Sequence, residues 1–350
     1  MGKALLLITL LFSLKTVIDS GEFKKIEPHF NGECQEIFGL EGPEDIIILS
    51  DSTAIISADP RRKILSETSS IYSYEEKNEH SNQGSIFLYN LNNQELINMT
   101  LGLNFEFHPH GISNYITDKG DIYISAINHT SGGHFVEFFI LKNNKLVSIK
   151  RVSDPLLVSP NDLVMVDHNQ FYITNDHSSK SLTGKLIEDY LQLSRSNVLF
   201  YDGSEFVISQ KKMQYANGIN ISHNQDKVFV SETIGQKVSI YTRDIITNKL
   251  TYESSIAIDS GLDNIELDRD GNLWIGSHPK LFDFVKHAKN SNHLSPSQVI
   301  KIFREDYNVQ EVYLSDGHDL SGSSVATVIN NNLLIGAVFE DHFLHCFIDE

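Results

Sequence analysis

Asn217-Gly218-Ile219-Asn220-Ile221-Ser222-His223, followed at Lys227 to Glu232 by KVFVSE, has the shape that decides the fold. Two small polar residues open an alternating strand, a polar turn ends it, and a second β-rich strand returns. The same shape recurs along the chain. Its six heads are Glu44-Asp45 before IIILSD, His110-Gly111 before ISNYITD, Asn161-Asp162 before LVMVD, Asn217-Gly218 before INISH, Asp263-Asn264 before IELDRD and Gly322-Ser323 before SVATVINN. Each is followed by a second strand (TAIIS, DIYISAI, QFYITN, KVFVSE, NLWIGS, NLLIGAV) and by a third (GSIFLYNL, HFVEFFIL, NVLFYDG, KVSIYTR, QVIKIFR, HFLHCFI). Some repeats add a fourth apolar stretch, such as LVSIKRV or QEVYL. Six units of about four antiparallel strands describe an all-β, six-bladed β-propeller with four-stranded blades. A β-sandwich would not explain a polar pair returning at one position of the repeat. The one helical pattern, Leu186 to Leu193, is short and amphipathic.

The bulk numbers agree with one large β domain. The chain has 350 residues, 40% apolar and 21% charged, enough to bury a core and too apolar for wholesale disorder. Its 28 basic and 46 acidic side chains leave a net charge of −18. That sign excludes nucleic acid as the natural partner, because phosphate binding needs the opposite one. It suits a soluble extracellular surface and is also what cation binding requires.

The ends of the chain point to export. Lys3 precedes the apolar run Ala4 to Leu14, and Lys15 interrupts it. The run is too short to span a bilayer core, which needs about 20 residues, and it suits the h-region of a secretory signal. Residues 1–20 therefore read as a signal peptide or, because Ile18 makes a poor cleavage site after Ser20, as a retained hydrophobic anchor. Residues 21–350 read as a single propeller domain. The two cysteines, Cys34 and Cys346, lie near opposite ends, and their pairing would staple a ring shut. Three sequons, at Asn98, Asn128 and Asn220, mark glycosylation candidates.

In a propeller the innermost strand of every blade lines the central tunnel, so residues at the same end of those strands converge. The heads bring Glu44, Asp45, Asn161, Asp162, Asn217, Asp263 and Asn264 together. Carboxylate and amide oxygens without cysteine select a hard cation, and six to eight of them suit Ca²⁺ better than Mg²⁺. Converging carboxylates would repel each other without one. The second head departs from the pattern with His110, and His129 ends the next strand of that blade. Two imidazoles at one rim can activate water near neutral pH.

The strings FHPHGIS, INHT, NDLVMV, FYITNDH, ANGINIS, LDNIEL and LWIGSHP, with the end-to-end cysteine pair, closely resemble the paraoxonase/arylesterase family over the whole chain from Cys34 to Cys346. The resemblance implies a calcium-dependent hydrolase that opens lactones and cleaves aryl esters, with organophosphate triesters as promiscuous substrates. It implies two calcium ions in the tunnel. The catalytic ion would be held by Glu44, Asn161, Asn217, Asp263 and Asn264, and the structural ion by Asp45, Asp162 and the carbonyl of Ile112. It makes His110 the base that activates water, His129 its orienting or relaying partner, and Asp176 the carboxylate supporting His129. Tyr215, Val338 and Phe339 would line the substrate pocket, with Ile187 as a weaker candidate. The family's retained N-terminal segment implies association with a membrane or lipoprotein surface.

Departures narrow what can be carried over. Ser277 stands where family members often have a free cysteine, and nothing in the hydrolytic scheme needs a thiol there. The polar stretch Asp59 to Gln83 corresponds to a loop over the family's active site but is not close to it in sequence, so substrate preference does not transfer. The helix around Leu186 also differs in composition. Two other readings stay in view. One is a related propeller such as a sugar lactonase or a strictosidine-synthase-like enzyme, and the other is a calcium-stabilised binding propeller without activity.

Overall fold

The computed structural model of the protein describes residues 14–63 and 83–349. Most of the expected polar stretch Asp59 to Gln83 lies outside the described residues. Six antiparallel sheets follow one another along the chain. The first four blades each consist of four consecutive strands, starting at Pro43–Ser50, Pro109–Ile116, Pro160–Asp167 and Ala216–Ile221. Blade 5 starts at Gly261–Leu267 and blade 6 at Ser323–Ile329. These first strands touch their neighbours in ring order, and blade 6 closes onto blade 1. The six-bladed propeller read from the repeat is the fold observed.

The core is divided among the clefts between blades, which explains the strand composition. Ile46 packs with Val325 and Phe343 between blades 1 and 6, whereas the next residue, Ile47, packs with Ile112 and Ile124 between blades 1 and 2. Successive side chains of a strand point to opposite faces. A strand covered on both faces must therefore be apolar at every position, as IIIL at residues 46–49 is. Truncating one of the fully buried isoleucines, such as Ile56, would remove about 2–5 kcal/mol of stability.

Closure uses the two ends of the chain. The outer strand of blade 6 is not the last segment but Gly32–Phe38, which pairs with His342–Ile348 in register Cys34 to Cys346. The cysteines form the disulfide expected. His29–Phe30 likewise adds a fifth strand to blade 5 beside Val309–Ser315. Tying together residues 312 apart removes loop-closure entropy from the unfolded chain, worth about 6 kcal/mol in the chain-entropy picture.

Two helices cap one end of the ring, α1 (Leu182–Tyr190) and α2 (Leu281–Lys289). Ser181 caps α1 by accepting from Gly184 N. Helical residues 14–19 reach both. Thr16 Oγ1 donates to Tyr190 O at 3.0 Å, and Leu281 N to Ser20 O at 2.9 Å. Residues 1–13 of the expected signal lie outside the described residues, and among the rest no helix is long and apolar enough to cross a membrane.

One of the three sequons requires correction. Asn128 is fully buried, and its amide nitrogen donates to Glu106 O at 2.9 Å and Glu137 Oε1 at 2.8 Å, so it has neither the exposure nor the free nitrogen a glycan needs. Asn220 lies on a tunnel-lining strand and donates to Ile265 O of the next blade at 2.8 Å. Asn98, at the outer edge of blade 1, is half-buried like Asn220, and its amide nitrogen donates to Ser85 Oγ at 3.0 Å.

Candidate active site

Every first strand breaks register with its neighbour at its polar head. The breaks fall at Pro43/Asp45, Pro109/Ile112, Pro160/Leu163, Ala216/Ile219, Leu262/Ile265 and Ser323/Val325. A bulge lets neighbouring residues escape strict alternation and re-aims side chains. Repeated around a ring, it presents two residues per blade toward the axis instead of one. In blade 6 the break selects Ser324, one residue beyond the Gly322-Ser323 head read from the sequence, and Ser324 Oγ donates to Glu44 O at 2.7 Å.

The second head position is small in alternate blades for a steric reason. A Cβ on Gly111 would meet Asp162 Cα at 2.6 Å, and one on Gly218 would meet Asn264 Cα at 2.6 Å. Glycine in blades 2 and 4 thus leaves room for the polar pairs of blades 3 and 5.

The amides at these heads are oriented by their nitrogens. Asn161 Nδ2 donates to Asp176 Oδ2 (3.3 Å), Asn217 Nδ2 to Thr233 Oγ1 (3.0 Å) and Asn264 Nδ2 to Glu44 Oε1 (3.0 Å). Their oxygens Oδ1, together with Glu44 Oε2, are buried and accept no hydrogen bond. Buried acceptors are rarely left this way, so four in one ring fit a site that binds a cation. Arg61 lies beside them, its Nη2 3.6 Å from Glu44 Oε2 and hydrogen-bonded to Pro109 O at 2.9 Å. Among donors of this kind, oxygen without nitrogen or sulfur fits Ca²⁺.

Deeper in the tunnel the carboxylates are anchored by backbone. Asp45 Oδ2 accepts from Ile112 N at 2.7 Å, and Asp162 accepts from Leu163 N at 2.7 Å and Ile219 N at 2.8 Å. Burial, then the charge of Glu44, pushes Asp45 well above the usual carboxylate range; burial and Asp45 do the same to Asp162. Burial raises Asp263 as well, against the pull of His278, whose Nε2 lies 2.8 Å from Asp263 Oδ2. Burial would also raise Glu44, but the charge and hydrogen bond of His110, aided by Arg61, hold it low. Ionising all four carboxyls together would therefore need more positive charge than the neighbouring side chains supply.

Beside this ring runs a file of imidazoles. His110 Nε2 is 3.3 Å from Glu44 Oε1, and His110 Nδ1 is 2.8 Å from His129 Nε2. His129 Nδ1 is 2.7 Å from His134 Nδ1. Burial, reinforced by His134 and His110, keeps His129 well below its usual pKa, and burial and Lys185 bring His134 to about 4. Both rings are neutral near pH 7, the form that can accept a proton.

The surroundings in known proteins are consistent. The Arylesterase family profile matches residues 26–348. Serum paraoxonase/arylesterase 2 of Gallus gallus is 32% identical over 92% of this chain and 91% of its own. Serum paraoxonase/arylesterase 1 of Homo sapiens is 31% identical over 90% and 89%. The chain belongs to the arylesterase family. Among solved structures, a luciferin-regenerating enzyme shares the fold at a TM-score of 0.57 and 11% identity, covering 90% of this chain and 95% of its own. An arylesterase-family chain is an enzyme of the esterase class, and the imidazole file beside the tunnel is where its chemistry can be sought.

The arylesterase cavity over the tunnel holds about 1160 Å³. Glu44, His110, His129, Asn161, Asp176, Asn217, Asp263, Tyr215, Val338 and Phe339 all line it. Asn264 reaches the same cluster through Glu44 rather than the cavity wall. Tyr215 holds the left-handed backbone (φ 61°), a strained conformation for an aromatic residue and one that sites tolerate. Two placements differ from expectation. Ile187 points to solvent, and Leu182 and Leu186 of α1 face the cavity instead. Asp176 does not back His129: its Oδ1 lies 2.6 Å from His177 Nδ1, and the ring behind His129 is His134. Ser277 is buried behind the wall.

Arg61, His134, His278 and Glu266 belong to the site although the sequence reading passed over them. Glu266 lies two residues beyond Asn264, on the same face of the tunnel-lining strand, where burial and Asp45 push its carboxyl well up. Period-2 continuation from the head would have found it.

Proposed function

We infer that the protein is a calcium-dependent hydrolase that opens lactones and cleaves aryl esters, with organophosphate triesters as promiscuous substrates. The observation that carries this reading is the ring of four buried, donor-less oxygens (Glu44 Oε2, Asn161 Oδ1, Asn217 Oδ1, Asn264 Oδ1) beside the His110–His129 pair. Those four and Asp263 would hold a catalytic ion, with Asp45, Asp162 and the Ile112 carbonyl holding a structural one. An ion held in the first position would supply polarisation of the ester carbonyl and of the developing oxyanion.

The chain's own groups do the rest. His110 takes a proton from water and directs the resulting hydroxide at the carbonyl carbon, with His129 accepting the proton that His110 Nδ1 then releases. His278 fixes one oxygen of Asp263, so that its carboxylate presents the other in a constant direction. Phe339, which packs on Phe284 at 5.7 Å between centroids, together with Val338 and Tyr215 holds the acyl or aryl part and excludes water. This apolar wall favours alkyl or aryl substrates over the sugar lactones of the alternative reading. The disulfide agrees with an oxidising compartment, and the reading places the protein outside the cell, with the N-terminal segment contacting a membrane or lipoprotein surface and Asn98 as its glycan acceptor.

The test is a panel of aliphatic lactones and phenyl acetate, assayed with the purified protein in calcium and after EGTA treatment. Hydrolysis that disappears with EGTA and returns with calcium is expected. Absence of turnover across the panel would leave a binding propeller.

A further inference from the structure

We propose that His134 is the exit of a three-imidazole proton wire, passing the proton abstracted at His110 out through His129 to water in the cavity. The inference deepens the hydrolase reading and rests on it. His129 ends the strand Ile122–Thr130 and His134 lies near the start of Gly133–Lys142; they are direct cross-strand partners across a two-residue turn at Ser131-Gly132. Hairpin register therefore places the two rings side by side, with their Nδ1 atoms 2.7 Å apart. His129 is buried and its ring nitrogens engage a histidine at either end. With both nitrogens engaged, His129 hands a proton on only to a neighbouring ring. His134 is half-buried, lines the cavity, and among the described residues nothing else hydrogen-bonds its Nε2.

Proton order follows from one N–H per neutral ring. His110 Nε2 faces Glu44 Oε1 at 3.3 Å and serves as a base only when Glu44 is engaged elsewhere, as it would be by a cation; the protons then sit on His110 Nδ1, His129 Nδ1 and His134 Nε2. When water attacks, its O–H bond breaks and an N–H forms at His110 Nε2. The His110 Nδ1 proton moves to His129 Nε2, the His129 Nδ1 proton to His134 Nδ1, and the His134 Nε2 proton leaves to water. No ring keeps a net charge. When the intermediate collapses, the leaving alkoxide takes the proton from His110 Nε2 and one proton re-enters at His134 Nε2, restoring the first order. The surroundings of His134 favour a neutral wire: burial, Lys185 and Lys180 from the α1 side and the ring of His110 disfavour its cationic form, and Asp176 opposes them.

The experiment compares calcium-loaded wild type with His134→Gln and His134→Ala on a lactone, whose alkoxide needs a proton, and on a nitrophenyl ester, whose leaving group does not. Glutamine can hold His129 by a hydrogen bond but cannot relay. Both variants should lose about tenfold in kcat on the lactone with KM nearly unchanged, and less on the nitrophenyl ester. Added imidazole should raise turnover of His134→Ala and not of wild type. Wild-type kcat on the lactone in His134→Gln would overturn the wire and leave only an orienting role, as would a His134→Ala rate indifferent to imidazole. The glutamine arm decides alone if the alanine variant does not fold. Active wild type with slow His129→Gln but unaffected His134 variants removes the wire and keeps the hydrolase; an inert wild type removes both.

Discussion

Gly218→Ala tests whether the tunnel head is built as tightly as the cation site requires. The added Cβ would lie 2.6 Å from Asn264 Cα, 2.6 Å from Asp263 O and 2.7 Å from Ile265 N. All three are backbone atoms, so no side-chain rotation relieves the contact. Reaching an ordinary separation of roughly 3.4 Å moves blade 5's first strand by about 0.8 Å relative to blade 4. Calcium–oxygen distances span only about 2.3–2.6 Å, so a displacement of that size takes Asp263 and Asn264 out of range of an ion still held by Asn217. Overpacking costs about 1–3 kcal/mol, a melting shift of several degrees. The larger effect should be on the ion, about 10–100-fold in affinity. Titrating calcium back into the chelated variant while following lactone hydrolysis gives the midpoint, and a thermal melt gives the stability. A variant that melts lower but keeps the wild-type calcium midpoint would refute the idea that blades 4 and 5 share one ion.

Asp263→Ala should abolish hydrolysis and weaken calcium binding; retained activity with unchanged calcium dependence would remove Asp263 from the ligand set. His110→Gln should lower kcat on lactones about 10²–10⁴-fold with an unchanged melting temperature, as single-turnover assays would show. Cys34→Ser should remove about 3–5 kcal/mol of stability, read by denaturant unfolding, because only strand pairing then closes the ring. His177, buried between Asp176 (2.6 Å) and Asp189 of α1 (2.9 Å), is raised to about 9: burial opposes its charge, and the two carboxylates outweigh it. A raised imidazole stabilises fully below its unfolded pKa of about 6.5 and loses that contribution as pH climbs through 9, on the order of 2–3 kcal/mol. The alkaline limb of a melting-temperature profile should therefore flatten in His177→Gln.

What the sequence made legible follows from what repeats. A strand buried on both faces and headed by a polar pair leaves a periodic trace, and six such traces determine a ring and converge its heads. Blade 6 was the blurred case. Its outer strand, GECQEIF, comes from the other end of the chain and alternates glutamate with cysteine and isoleucine, so it carries no apolar run beside its partners. Its head was also read one residue early, because Gly322, Ser323 and Ser324 are all small and only the register break after Ser323 distinguishes them.

The carboxylate and imidazole partners were harder because they depend on side-chain direction rather than periodicity. Asp176 and His177 are neighbours in a strand-to-loop transition, and nothing in TNDH says whether the carboxylate turns to its own histidine or across the cavity to His129. His134 differs, since Thr130 pairs with Gly133 across Ser131-Gly132, a two-residue turn signal. That turn sets His129 opposite His134. A histidine opposite a histidine at the closed end of a hairpin is a contact imposed by backbone register. The cation ring, by contrast, needs several blades to be placed correctly at once. The imidazole file is therefore the part of the site least dependent on the ion, and its geometry should persist when calcium is removed. Histidine nitrogen resonances that retain the His110–His129–His134 couplings in EGTA would support that ordering; couplings lost together with the ion would show the file to be assembled by the cation instead.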